Sequence, residues 1–180
     1  MAGDGLSATT RRRRTVTLPN GRVIELETIG MRDYAQVREQ ACADYKRQMI
    51  QTWSKNVDLL PESERDGAVL RAFDKAEKIT PDDLPTKTVT DPETSRERKV
   101  AYADWWMGMT VPGLTYSVWL SMRKCPGQSS LTIQDVEKMF EENMEALNEV
   151  GDQLADLSKP RLGNHDPAAT EAGTALPTKA

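Results

Sequence analysis

The forty residues AYADWWMGMTVPGLTYSVWLSMRKCPGQSSLTIQDVEKMF, Ala101–Phe140, decide how this chain is read. They hold three of its four tryptophans and several methionines, yet no nucleophile–base pair and no metal-ligand spacing. The apolar residues fall at helical intervals. Val100, Trp105 and Met109 share a face, with Tyr102 and Trp106 beside it, which predicts a helix from about 93 to 109. Pro112-Gly113 is read as its break, and a short helix is expected from Leu114 to Lys124, stopped by Cys125-Pro126-Gly127. The next helix has the clearest start in the chain. Thr132 is a good N-cap, Asp135 takes the position of a capping-box acid, and Leu131 with Val136 forms a hydrophobic staple. Ile133, Val136, Phe140, Leu147, Val150, Leu154 and Leu157 then keep one three-four register, with Asn143 as the non-apolar seam position. Gly151 is expected to weaken this helix by about 1 kcal/mol relative to alanine.

Upstream, TVTLPNGRVIELET (residues 15–28) alternates apolar and polar residues around Asn20-Gly21, a strong hairpin signal because both residues tolerate positive φ. Two strands alone are marginal in water, so the hairpin must lie on a helix or on a partner's sheet edge. Tyr34, Val37, Ala41, Tyr45, Met49 and Trp53 predict a long helix from Met31. Val69, Ala72, Phe73, Ala76 and Ile79 predict a second, ended by Thr80-Pro81. The expected organisation is a basic disordered tail at 1–14, hairpin plus helices at 15–79, an exposed proline-rich linker at 80–92, a helical unit at 93–157 and a disordered tail at 158–180. The fold class is mainly α with a small N-terminal β-hairpin, a compact helical domain between disordered tails.

Composition narrows function mostly by exclusion. The 180-residue chain is 38 % apolar and 29 % charged, which suits one domain with a modest core. A net charge of −4 argues against a nucleic-acid partner, although Arg11, Arg12, Arg13 and Arg14 form a basic block. No apolar run is long enough to span a bilayer, and no secretory signal is read at the N-terminus. Cys42 and Cys125 are far apart, which suggests free thiols in a reducing cytoplasm. The only histidine, His165, falls in the C-terminal tail. Two cysteines and that histidine do not make a zinc site, and no phosphate-binding loop is present. No enzyme activity, metal or cofactor is expected.

The tryptophan segment then carries most of the functional reading. Its side chains suit a helical core, but Trp105 and Trp106 diverge by roughly 100° around a helix, so one should reach past a single seam. Aromatics and methionines are also enriched at the centres of protein interfaces. Trp105, Trp106, Met109, Trp119 and Met122 are the candidates for partner contact. From Asp135 to Asp156 the chain carries eight acids against Lys138 alone, a net of −7. That helix therefore packs internally, or receives a neutral or basic partner.

YSVWLSMRKCPGQSSLTIQDVEKMF (Tyr116–Phe140) resembles the small tail assembly chaperones of long-tailed bacteriophages. In those proteins a helix ends in an aromatic-aliphatic stretch plus a basic residue, a Pro-Gly turn follows, and a leucine-threonine-x-x-acid motif opens the next helix. The matching residues are Trp119, Leu120, Arg123, Pro126, Leu131, Thr132, Asp135 and Val136. The hairpin around LPNGRVIEL fits the same organisation. The resemblance implies a non-enzymatic protein, without cofactor, that coats the tape measure protein, recruits the tail tube protein, acts in the host cytoplasm and forms oligomers on its partner. Behind it stand a structural virion subunit of the tail or connector, a nucleic-acid-binding regulator acting through the arginine block, and an enzyme.

Overall fold

Leu18-Pro19-Asn20-Gly21 turns the chain back on itself between strands β1 (Arg13–Thr17) and β2 (Val23–Glu27), with Gly21 at φ 78° as the turn requires. The structure, a computed structural model, describes residues 12–91 and 94–158. The strands pair antiparallel with Val16 opposite Ile24 and Arg14 opposite Leu26. The expected tail at 1–14 is therefore corrected at its end: Arg13 and Arg14 belong to β1, and residues 1–11 lie outside the described ones. Arg13 is drawn in by Glu27, whose carboxylate accepts its Nε–H at 2.9 Å.

Helix α1 (Met31–Val57) starts where the Gly30 N–H donates to the Asp33 carboxylate, and α2 (Glu62–Lys78) returns along it. The Ala68, Ala72 and Ala76 stripe of α2 is buried, and among the described residues α1 is the only helix or strand against which α2 packs extensively. Next comes a second hairpin, β3 (Thr86–Thr90) and β4 (Glu97–Ala101), with Lys87 opposite Val100. This corrects the reading of 80–92 as linker throughout and of a helix beginning near Glu93. Alternating β-branched Thr86, Thr88, Val89 and Thr90 favours a pleated strand, and that preference outweighs the prolines on either side.

Helix α3 (Tyr102–Met109) is followed at once by α4 (Val111–Met122). The Thr110 Oγ1 accepts the Gly113 N–H at 3.1 Å, so Pro112-Gly113 forms the first turn of α4, where a missing proline N–H costs nothing. Gly113 is required there, since a Cβ would lie 1.8 Å from the Trp106 carbonyl oxygen. Helix α5 (Ile133–Phe140) opens with the expected capping box, and α6 (Met144–Ser158) follows after a break. The single long C-terminal helix is corrected into two. Asn143 is the reason: its Oδ1 accepts the Ala146 N–H at 3.0 Å and caps α6. Gly151 has a packing role, because a Cβ there would meet Leu114 Cδ2 at 2.6 Å.

Helix α4 is shared by two cores. One face sends Val118 and Met122 among Val16, Leu18, Ile24 and Leu26 of the first hairpin and the seam of α5 and α6. Leu120 joins Val37 and Ala41 of α1 and Tyr102, Ala103 and Trp106 of α3. The β2–α4 contact is also polar. Ser121, wholly buried, donates through Oγ to the Glu27 carbonyl at 2.7 Å and accepts the Glu27 N–H at 2.8 Å. With Gln128 donating to the Glu25 carbonyl, this closes the outer edge of β2. The hairpin thus lies on a helix, as its marginal size demands. Among the described residues no helix is long and apolar enough to cross a membrane.

Candidate functional site

The five residues singled out from the aromatic segment separate by burial. Trp106 and Met122 are core residues. The Trp106 indole N–H donates to the Asp44 carboxylate at 3.0 Å, and the Gln48 amide donates to the same carboxylate at 2.7 Å. A buried aspartate with donors on both sides fixes α3 to α1. Neither Trp106 nor Met122 presents surface to a partner. Trp105 and Trp119 are half-buried. Trp105 stacks by Tyr102 with ring centroids 5.4 Å apart, and the Lys87 ammonium lies 4.7 Å from its centroid. Met109, 59 % exposed, is the one candidate that stands in solvent.

The residues that carry the phage-chaperone resemblance form one clasp around the α4–α5 turn. The Trp119 Nε1–H donates to the Leu131 carbonyl at 2.8 Å, while the Arg123 guanidinium stacks 4.5 Å from the Trp119 ring centroid. Thr132 and Asp135 exchange capping bonds, the carboxylate accepting the Thr132 N–H at 2.8 Å. Those bonds hold the Asp135 carboxyl below its usual range. Val136 and Leu120 point into the two cores. The motif is explained by fold chemistry, with Trp119 and Arg123 partly open at its surface.

Apolar surface concentrates on α1 and α2, and it includes Trp53 and Phe73, which periodicity placed in the core. Beyond Asp44, α1 buries no further residue, and α2 buries only its alanines. The two helices extend as an arm on which Trp53, Leu59, Leu70 and Phe73 are exposed, Leu59 at 82 % and Leu70 at 71 %. Leu70 and Phe73, three residues apart, occupy the flank of α2 turned from the alanine stripe. A second apolar feature is a groove of about 560 Å³ between the start of α1, the α3–α4 junction and the end of α6, lined by Met31, Tyr34, Met107, Leu114 and Leu154 among others. At its edge the Tyr34 hydroxyl donates to Asp104 at 2.6 Å. Burial, and then that bond to a carboxylate, push the Tyr34 phenol up to about 12.

Reactive groups are few. Cys42 and Cys125 are buried free thiols, and burial raises both, away from the thiolate a nucleophile needs. Asp82 and Asp83 are neighbouring carboxylates in the loop after α2; Asp82 is ion-paired with Arg38, and hydrogen bonds from Thr80 hold Asp83 low. His165 and Arg11 lie outside the described residues. Among the described residues no group of three His, Cys, Asp or Glu side chains is placed to hold a metal ion. The chain matches no known protein family, no curated protein and no solved structure.

Proposed function

We propose that this protein is a non-enzymatic assembly chaperone that covers an apolar helical face of a longer partner, as a tail assembly chaperone covers the tape measure protein. The observation that carries the reading is the α1–α2 arm with Trp53, Leu59, Leu70 and Phe73 in solvent. Large apolar side chains on a projecting two-helix element mark an interaction surface more than a solubility device. The net charge of −4 suits a protein that must keep an apolar complex in solution. The tape measure protein and the tail tube protein enter as partners through the organisation of the Trp119–Val136 clasp and the N-terminal hairpin.

The test is co-expression with a tape measure protein encoded beside this chain. The reading expects the long protein to be recovered soluble and to elute with several copies of this one. If it stays insoluble and this chain elutes alone, the reading is wrong.

One observation favours a second reading, a structural subunit of the tail or connector. The Leu18–Arg22 and Thr28–Arg12 backbone bonds set the even-numbered residues of β1 toward β2, so the main-chain groups of Arg13, Thr15 and Thr17 face away from it. That edge suits strand addition from a neighbour. A structural subunit remains in purified particles, whereas a chaperone is missing from them.

A further inference from the structure

A groove of about 570 Å³ runs between the start of α4, helix α5 and the first turn of α6. Its apolar lining includes Phe140 and Leu147, which are buried, and Val111 and Met144, which are exposed. Glu137 and Glu141 also line it and are exposed, four residues apart across the end of α5. Lys138 is the single base there. Beyond the groove, α6 continues with Glu145, Glu149, Asp152 and Asp156 and carries no base.

We propose that this groove is the docking site for a basic amphipathic helix supplied by a partner protein. The apolar lining takes the apolar face of such a helix, and methionine at its mouth adapts to different side chains. The acidic lip selects the charge. Glu137 and Glu141 at that lip repel an acidic segment and attract lysine or arginine flanking an apolar stripe, and the eight acids against one base between Asp135 and Asp156 add a general field of the same sign. A second copy of this chain presenting its own α5–α6 face is disfavoured by the same charges. The groove is separate from the arm, so the two surfaces stand or fall independently.

The probe is a fluorescein-labelled peptide of about 18 residues, five helical turns, with leucines on one face and lysines on the other, beside a twin with glutamates for lysines. Binding to the full chain is read by fluorescence anisotropy at about 50 mM and about 500 mM salt. The lysine peptide should bind at least about tenfold more tightly than its twin at low salt, and much of that advantage should vanish at high salt. E137K with E141K should remove at least about tenfold of the affinity at low salt, and Met144→Asn, which removes the apolar side chain without adding charge, should weaken binding at both salts. E62K with E64K, which makes the same charge change on α2, should leave binding unchanged. Equal binding of the two peptides overturns the proposal. So does equal loss from the α2 variant, which would reduce the effect to bulk charge, or full binding by the Met144 variant. Thermal melts and far-UV circular dichroism confirm that each variant is folded.

Discussion

Replacing Ser121 with alanine removes one oxygen that serves two backbone groups at once. Its Oγ lies 2.8 Å from the Glu27 nitrogen and 2.7 Å from the Glu27 oxygen, with the serine wholly buried. Alanine leaves a buried N–H without an acceptor, at about 1–3 kcal/mol, and takes a donor from the carbonyl, at about 1 kcal/mol more. Better helix propensity returns about 0.5 kcal/mol. The expected net cost is about 1.5–3.5 kcal/mol, or a Tm lower by about 3–14 °C for a chain of this size. Ser117→Ala is the matched control. It sits one turn earlier in α4, is also buried, and donates to the Gly113 carbonyl at 2.8 Å. That carbonyl keeps its helical partner when the hydroxyl goes, so the variant should stay within about 0.5 kcal/mol of the parent. Urea denaturation followed by tryptophan fluorescence, with unchanged m-values, measures both. If the two variants cost the same within about 0.5 kcal/mol, the claim that Ser121 seals β2 against α4 is refuted.

Thr132→Ala and Asn143→Ala should each cost about 1 kcal/mol through loss of an N-cap, and the double variant should cost their sum, all read by denaturant melts. The Asp135 carboxyl, held low by Thr132, contributes stability that is present above its ordinary range and lost as pH falls through its lowered value. Tyr34 behaves in the opposite sense. Its folded pKa of about 12 lies above the ordinary tyrosine value of 10.0, so its contribution is present below pH 10.0 and is lost as pH rises toward 12. Burial raises Tyr102 and Tyr116 as well, so ultraviolet titration should show a late step shared by these tyrosines, and Tyr34→Phe should remove one tyrosine's amplitude from it. A titration unchanged by the substitution contradicts the assignment.

Local chemistry made much of the fold legible. Asn20-Gly21 announced the first hairpin, Thr132 with Asp135 announced α5, and Leu147, Val150, Leu154 and Leu157 marked the buried side of α6. The second hairpin was hidden because the prolines around Thr86–Thr90 speak for loop while the threonines speak for strand. Asn143 fitted a continuous helical register, and nothing in periodicity separates a polar seam residue from a cap. The arm was missed for a related reason. Spacing shows which side of α1 and α2 is apolar, but not whether anything covers it. Trp53 and Phe73 sat on predicted core faces, yet α2 buries its alanines and leaves Phe73 in solvent. The aromatic segment shows the converse: spacing left open which of Trp105 and Trp106 is the buried one, and the buried Asp44 that pairs with Trp106 lies 62 residues away in sequence. A buried acid on the inner face of α1, flanked by Val37 and Ala41, was the available signal.

The most direct test of the chaperone reading compares the parent chain with Leu70→Asp/Phe73→Asp in co-expression with the tape measure protein. Both side chains are exposed, so the variant should melt within about 2 °C of the parent, as surface changes do. The account predicts that soluble tape measure protein recovered with the variant falls at least about tenfold, as expected when anchors at the centre of an interface are lost. Undiminished recovery with a folded variant would contradict it.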